Sequence, residues 1–149
     1  MGKGAAGYAT SNRINTELVV TALSMAVTRQ SRIYGADSLK DLIMYSDRGV
    51  QYTARAFVAL LNQYGFIQSM SRKGNPYDNA VAENFFSCLK CECVHLSHFA
   101  ARNAASLAIF SYIETFCNRI CPHSSIGWVS PVVFEKMLTE GVSSVKMVA

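Results

Sequence analysis

Residues 42–49 read Leu42-Ile43-Met44-Tyr45-Ser46-Asp47-Arg48-Gly49, a short apolar run that ends in an Asp and a Gly. Such a run predicts a β-strand that passes into a turn at Asp47. Further along, 35 residues separate Asp47 from Glu83, which lies near the start of a helical pattern over residues 80–90. A carboxylate at the end of a strand and another in the first turn of a helix can meet at one point in space.

This pair of carboxylates has the chemistry of a site for a divalent cation. Hard cations such as Mg²⁺ prefer oxygen ligands, namely carboxylates, water and substrate phosphates. Two such ions can bind the attacking and the leaving oxygen of a phosphodiester. The alternative is local, because an Asp before a Gly often does no more than bond to nearby backbone. By spacing alone, Glu83, Ser87 and Lys90 would be an ordinary solvated stripe on one helix face.

Three longer blocks resemble one family of proteins. Residues 45–53 resemble the S-D-R-G-x-Q-Y-T signature of bacterial insertion-sequence transposases, and residues 69–86 are similar to the same family. Residues 116–119 and 123–131 look like the C-terminal block of that family. The similarity extends from about Tyr8 to Met137. Three long blocks in the right order are far more specific than the spacing of two carboxylates.

The resemblance implies a fold and a chemistry. These transposases are relatives of retroviral integrases and carry an Asp, Asp, Glu triad on a ribonuclease-H-like fold. The match implies that Asp47 and Glu83 are catalytic residues and ligands of Mg²⁺ or Mn²⁺. The implied reaction is hydrolysis of a phosphodiester, followed by attack of the freed 3′-hydroxyl on target DNA.

Basic residues near the helix of Glu83 are expected to contact DNA. The family has a basic residue seven positions after the Glu, and Lys90 matches it. Arg72 and Lys73 lie in a loop just before the helix, and a basic loop beside such a site suits phosphate contact. The implied partner is therefore DNA, both as transposon ends and as target.

The resemblance departs from the family at the first triad position. In the family, the first Asp lies on a central strand upstream of the helix that begins here near Asn15. The first acidic residue of this chain, Glu17, falls within that helical pattern instead. Tyr8 to Ser11 is at most the tail of the third strand. We therefore expect an α/β, ribonuclease-H-like integrase core that lacks its first strands, binds its ion weakly and is impaired in strand transfer.

The expected organisation has three parts. Residues 1–14 are a linker or strand remnant, residues 15–115 a partial catalytic core, and residues 116–149 a C-terminal extension of the core. An open apolar edge favours a homo-oligomer or co-assembly with full-length transposase. Two other interpretations stay open. One is a non-catalytic DNA-binding or oligomerising fragment that inhibits the full-length enzyme, and the other is a ribonuclease-H-like nuclease without strand transfer.

Composition sets broad limits. Of 149 residues, 50% are hydrophobic and 16% are charged, which predicts one folded domain with a core. The net charge of +4 is compatible with nucleic acid but mild. No apolar stretch approaches the roughly 20 residues of a membrane span. Because no signal peptide is recognised either, we expect a bacterial cytoplasmic protein without a membrane partner.

The five cysteines are an odd number, and we expect free thiols rather than a disulfide framework. A zinc site is the competing interpretation, because Cys88, Cys91 and Cys93 are closely spaced. A zinc knuckle needs its Cys-x-x-Cys in a turn, however, whereas Cys88 and Cys91 fall in a helical pattern.

The order of elements indicates an α/β layered domain. Asn15 is expected to cap a helix that runs to about Gln30, and the strand that ends at Asp47 follows. Thr53 is expected to cap a second helix, which stops at Gly65. The remaining elements are a strand over residues 66–70, the helix of Glu83 capped by Asp78, and helices over residues 103–118 and 132–138.

Helical spacing also predicts two buried faces. One lies on the second helix and comprises Phe57, Leu60, Leu61 and Tyr64. The other lies on the helix of Glu83 and comprises Ala82, Phe85, Phe86, Leu89 and Cys93.

Overall fold

The computed structural model describes residues 4–70 and 80–141, with the backbone alone at Ala80 and Val81. Its helices and strands, in chain order, are α1 (Thr16–Tyr34), β1 (Ile43–Ser46), α2 (Val50–Thr53), α3 (Arg55–Gln63), β2 (Ile67–Met70), α4 (Ala80–Leu89), α5 (Arg102–Ser111) and α6 (Pro131–Thr139). The chain forms two compact units, one of Ala6–Phe85 and one of Met1–Ala5 with Phe86–Ala149. The predicted boundaries after residues 14 and 115 stay a prediction.

Helix α1 begins where its cap predicts and ends later. The Asn15 side chain accepts a hydrogen bond from the Leu18 N–H at 3.0 Å, which satisfies one of the free donors of the first turn. The helix continues past Gln30 to Tyr34, and Gln30, although polar, occupies a buried position. Gly35 then ends it with a φ of 85°, in the left-handed region that favours glycine.

Residues 5–11 form neither helix nor strand, and part of this stretch lies against α1. A Cβ atom at Gly7 would meet the carbonyl of Ala22 and the amide and side chain of Ala26. The backbone of Gly7 therefore packs directly on that of the helix, at a separation that leaves no space for a side chain. The identity of residues 8–11 as a strand remnant stays a prediction.

The two strands form a parallel sheet, as a β-α-β connection requires. Ile43 pairs with Ile67 and Ser46 with Met70, so both strands end at the same edge. The side chains of the sheet alternate between a half-buried face, which includes Met44, and a face on which Ile43, Tyr45 and Ile67 are more than half exposed. Met44 packs against a core formed by Leu23, Val27, Leu39, Phe57 and Leu61.

Helix α3 confirms one prediction and corrects another. Phe57 and Leu61 are buried and Leu60 and Tyr64 pack against them, as the helical spacing predicts. Thr53, however, does not cap the helix. Its hydroxyl donates to the Val50 carbonyl at 3.0 Å and closes the short helix α2, so α3 begins separately at Arg55 after an extended Ala54. Because the Thr53 hydroxyl bonds within α2, it does not bond to the first turn of α3, whose N-cap residue is Ala54.

Helices α4 and α5 both continue into wider, π-helical turns. These turns comprise Lys90–Val94 after α4 and Tyr112–Cys117 after α5. The helices predicted over residues 80–90 and 103–118 are therefore confirmed in position, although their last turns are not α-helical. The short helix predicted over residues 132–138 is α6, and Pro131 occupies its first position, where proline is favoured. The predicted cap Asp78 lies outside the described residues.

Burial on α4 differs from the predicted face. Leu89 and Cys93 are buried, whereas Ala82 is exposed and Phe86 is 56% exposed. Helical periodicity groups residues on one side of a helix but does not reveal how far along its length other elements pack. The prediction was therefore wrong for Ala82 and Phe86.

Asn118 connects the start of the chain to the unit of residues 86–149. Its side chain is 1% exposed, accepts from the Ala5 N–H at 2.9 Å and donates to the Ala5 carbonyl at 3.2 Å. Its own carbonyl accepts from the Val132 N–H at the start of α6 at 3.0 Å. The side-chain amide of Asn118 thus satisfies both backbone polar groups of one distant residue, as buried backbone requires.

We expect Asn118→Ala to lower the free energy of unfolding by about 1–3 kcal/mol, because the Ala5 amide and carbonyl lose their buried partner. Urea unfolding followed by circular dichroism measures this change. Asn103→Ala on the exposed side of α5 serves as the control and should change stability by less than about 0.5 kcal/mol. Equal effects of the two substitutions would contradict the role of Asn118.

Within the part of the chain that the structure describes, no helix is both long and apolar enough to cross a membrane.

Candidate functional site

Asp47 follows directly after β1, and its side chain is exposed. Its Oδ1 accepts a hydrogen bond from the Gly49 N–H at 2.8 Å, which closes a local turn. The local role that the sequence left open for this Asp is therefore present in the structure. The bond to Gly49 involves only Oδ1 of the carboxylate and not Oδ2. Asp47 is therefore an exposed carboxylate at the end of a strand, held by a hydrogen bond from the backbone.

Gly49 does not adopt a backbone conformation that requires a glycine. Its φ of −57° and ψ of 139° are accessible to any residue. A Cβ atom at Gly49 would lie 2.7 Å from Cδ and 2.8 Å from Oε1 of Gln51, at the end of a flexible side chain that can move aside. The Gln51 amide thus lies against the backbone of Gly49.

Tyr52 fastens the turn to the core. Its ring contacts Phe57 edge to face, with ring centres 5.4 Å apart and planes at 75°. Its carbonyl accepts from the Gln68 side chain of β2 at 2.8 Å, and its N–H donates to the Gly49 carbonyl at 2.9 Å. The turn that carries Asp47 is therefore held by both neighbouring elements.

Burial raises the pKa of the Tyr52 phenol, and the negative charge of Asp47 raises it further, whereas a hydrogen bond with Gln51 lowers it. A raised folded-state pKa means that the unfolded chain loses this proton first as the pH rises. The contribution of Tyr52 to stability is therefore complete below its ordinary pKa and is lost as the pH rises through the folded-state value.

We expect Asp47→Asn to lower the pKa of Tyr52, because the substitution removes a negative charge while its amide oxygen can still accept from Gly49. Ultraviolet absorbance of tyrosinate during an alkaline titration measures this shift, and Tyr52→Phe assigns the signal. Asp37→Asn, at another exposed carboxylate of the same unit, should leave the titration unchanged. An unchanged pKa in Asp47→Asn would show that the carboxylate is not close to the phenol.

Glu83 lies in the first turn of α4 and is exposed. A carboxylate at this end of a helix is favoured by the helix dipole. Lys90 is exposed at the first position of the π-helical turn that follows. Arg72 and Lys73 lie outside the described residues. That Asp47 and Glu83 bind one cation stays a prediction, and so does contact of the three basic residues with DNA.

The described residues, 4–70 and 80–141, contain no cluster of three or more His, Cys, Asp or Glu side chains that could hold a metal ion. All five cysteines are free thiols. Burial raises the pKa of the Cys117 thiol. Next to it, the Tyr112 hydroxyl donates to the Glu92 carboxylate at 2.7 Å and links the two π-helical turns.

Trp128 is a candidate functional residue that the sequence patterns did not single out. It is 73% exposed and has a φ of 60°, a conformation that a bulky side chain rarely adopts. Such strain costs on the order of 1 kcal/mol and tends to occur at functional sites. The signal in the sequence was that this is the only tryptophan of the chain and follows directly after a glycine.

Comparison with known protein families gives two matches, both described as integrase core domain. One covers residues 3–76 and the other residues 83–138. The transposase for insertion sequence element IS904 of Lactococcus lactis subsp. lactis (strain IL1403) is 40% identical over 130 residues, which is 87% of this chain and 49% of that protein. The transposase InsF for insertion sequence IS3A of Escherichia coli (strain K12) is 40% identical over 129 residues, or 87% of this chain and 43% of that protein.

The chain therefore spans a little under half the length of these curated relatives. Among solved structures, a chain in the cryo-EM structure of the simian T-cell lymphotropic virus intasome in complex with PP2A regulatory subunit B56 gamma has a similar fold. The TM-score is 0.61 at 13% identity, over 93% of this chain and 44% of the other. With the family matches, this likeness confirms the expected α/β, ribonuclease-H-like fold that lacks some strands.

Proposed function

Because the chain belongs to the integrase core domain family, among the insertion-sequence transposases, we propose that it acts in DNA transposition. The proposed substrates are the DNA ends of an insertion sequence and a target DNA. The proposed reaction is metal-dependent hydrolysis of a phosphodiester, followed by attack of the freed 3′-hydroxyl on the target. In a bacterial cell this places the protein with the DNA in the cytoplasm, where it would work as a homo-oligomer or with full-length transposase.

One observation carries the proposal: the signature block around Asp47 folds into a fixed corner between strand and helix. The Gly49 N–H holds one carboxylate oxygen, and Tyr52 ties the corner to Phe57 and Gln68. A catalytic side chain must be held in place by packing and hydrogen bonds before its ligand arrives. This corner meets that requirement and still exposes the carboxylate to solvent.

The donors of the chain fit Mg²⁺ or Mn²⁺ in type. Asp47 has an oxygen beyond its bond to Gly49, and Glu83 is exposed. Next to Asp47, the Ser46 Oγ is buried and has no hydrogen-bond partner in the described part of the chain. We assign Asp47 and Glu83 as the ligands in this proposal. The cation, when bound, polarises phosphate oxygens and stabilises the charge that develops on them.

The basic residues would position the DNA. Lys90 is exposed, and its ammonium group can neutralise a phosphate. Arg72 and Lys73 are proposed for the same task on the basis of the family resemblance. Such contacts fix the register of the DNA backbone, and they carry no sequence information of their own.

Two carboxylates are fewer than the three of the family triad. A catalytic unit whose members act together loses most of its rate when one member is removed. Glu17, the first acidic residue, lies exposed in the first turn of α1 and not on a strand. We therefore propose that the 149-residue polypeptide binds DNA and a divalent cation but is impaired in strand transfer. The second candidate, a non-catalytic DNA-binding or oligomerising protein that inhibits a complete transposase, rests on the same observation.

The proposed function is tested with the 149-residue polypeptide and duplex DNA that carries the ends of its insertion sequence. Fluorescence anisotropy at several salt concentrations should show binding that weakens as salt rises, because phosphate contacts release counterions. Cleavage assays with Mg²⁺ should show little product. Absence of binding at low salt would contradict the proposed function. Efficient Mg²⁺-dependent cleavage that Asp47→Asn abolishes would contradict the impairment alone.

A further inference from the structure

Trp128 lies in a short loop whose backbone is closed by its own hydrogen bonds. The His123 N–H donates to the Val129 carbonyl at 3.1 Å, and the Trp128 N–H donates to the His123 carbonyl at 3.0 Å. Between them, Ser124–Ile126 form one 3₁₀ turn, and Gly127 has a φ of 81°. The loop is therefore a defined structure that sets the position of the indole.

The same loop is attached to the core on both sides of the indole. The Ile126 side chain is buried before it, and Ser130 and Pro131 are buried after it, at the start of α6. Trp128, the largest side chain of the segment, is nevertheless 73% exposed and keeps a strained backbone conformation. A loop that buries its smaller apolar residues and presents its largest aromatic one to solvent has the form of a contact site.

The charged residues of the surrounding segment are few. Between Glu114 and Glu135, residues 115–134 contain Arg119 and His123 and no Asp or Glu. Arg119 is exposed and His123 is half-buried. An exposed aromatic ring and an exposed guanidinium nine positions earlier in the chain are side chains of the kind that bind unpaired nucleotides, because a ring can stack on a base while a cation meets the backbone.

From these observations we propose that Trp128 stacks on an unpaired base at a DNA end. The inference rests on the proposed function, whose hydrolysis step creates free DNA ends. Inside a duplex both faces of a base are covered by its neighbours, and at a blunt end the last base stays paired, so the proposed partner of the indole is an unpaired base. Trp128 thereby holds the last nucleotides of an end.

The chain supplies its own reporter for this contact, because Trp128 is its only tryptophan. Stacking on a base quenches indole fluorescence, so any quenching on addition of DNA comes from this one position. The probes are a single-stranded oligonucleotide, a blunt duplex of the same sequence, and that duplex with an unpaired 3′ overhang. We expect strong quenching by the single-stranded oligonucleotide and by the overhang duplex, and little quenching by the blunt duplex.

Substitutions supply the second measurement. Trp128→Ala should weaken binding of the overhang duplex by about 10-fold and binding of the blunt duplex by much less. Trp128→Phe keeps a smaller ring, so its affinity for the overhang duplex should lie between those of Trp128→Ala and the unsubstituted chain. Leu96→Ala removes another apolar side chain of the same unit, 78% exposed, and should leave binding unchanged. Trp128→Gly should weaken binding as much as Trp128→Ala yet keep or raise the midpoint of urea unfolding, since glycine tolerates a positive φ.

The outcomes separate this inference from the proposed function. Absence of DNA binding by the unsubstituted chain would overturn both. Binding without fluorescence quenching, or equal binding of the overhang duplex by Trp128→Ala and Leu96→Ala, would overturn the stacking role and leave the proposed function in place. A change in oligomeric state in Trp128→Ala, measured by light scattering, with unchanged DNA binding would assign the indole to a protein contact and would also overturn it.

Discussion

Asp47→Asn is expected to weaken Mn²⁺ binding at least about tenfold, since the loss of even an indirect partner of a metal ligand typically costs 10- to 100-fold in affinity. The substitution is nearly isosteric, and its amide oxygen can still accept the Gly49 N–H, so the turn at the end of β1 is kept. It removes only the negative charge and one anionic ligand. Electron paramagnetic resonance of free Mn²⁺, with calorimetry for Mg²⁺, measures the affinity.

Asp37→Asn is the matched control, because it removes one exposed carboxylate of the same unit that lies outside the signature block, ten positions before Asp47. Its Mn²⁺ affinity should equal that of the unsubstituted chain. If Asp37→Asn weakens binding as much as Asp47→Asn, the effect is one of net charge, and the assignment of Asp47 as a ligand fails.

Glu83→Gln extends the test to the shared ion. If Asp47 and Glu83 bind one cation, the double substitution should weaken binding by clearly less than the product of the two single effects, because either one already disables the site. Simple multiplication of the two effects would show that the carboxylates act on separate ions, and the proposed ligand pair would then be wrong.

Phe57→Ala is expected to lower the free energy of unfolding by about 3–5 kcal/mol, the usual cost of deleting a buried aromatic side chain. Phe57 is 1% exposed at the centre of the core of residues 6–85 and also supports the Tyr52 ring. Because folded proteins are stable by only about 5–15 kcal/mol, the loss is a large part of the total. Urea unfolding measures it.

The consequence of Phe57→Ala for the site is also testable. Without the ring beneath Tyr52, the turn that carries Asp47 loses one of its two supports, so we expect weaker Mn²⁺ binding even at urea concentrations where the chain is folded. Val50→Ala, at a residue 83% exposed in the same stretch, should change stability by less than about 0.5 kcal/mol. A stability loss below about 1 kcal/mol in Phe57→Ala would contradict the position of this side chain in the core.

The family resemblance and the element order were accessible from the sequence because both depend on local patterns. The strand before Asp47, the cap at Asn15 and the buried pair Phe57 and Leu61 are confirmed. Each follows from spacing or from a side chain that bonds within one turn. The predictions that failed, Thr53 as a cap and burial of Ala82 and Phe86, depend on which partner is nearby, and periodicity does not encode that.

In the signature blocks, too, the sequence identified which residues belong together but not which residues they contact. The sequence marked Asp47, Gly49 and Tyr52 together as one block, but it did not reveal that the Gln51 amide lies against the backbone of Gly49 or that Tyr52 packs on Phe57. Asn118 was likewise visible only as part of a block, and its link to Ala5 joins residues 113 positions apart.

By itself, then, the sequence determined the family and the order of helices and strands, because short-range patterns and characteristic blocks carry this information, and it predicts the two carboxylates as ligands. Only the tertiary structure decided which side chains support those blocks, which apolar residues remain exposed, and that the single tryptophan stands in solvent on a strained backbone. The physical reason is that burial and hydrogen-bond partnership arise from contacts between residues distant in the chain, and their free energies depend on positions in space that no local spacing specifies.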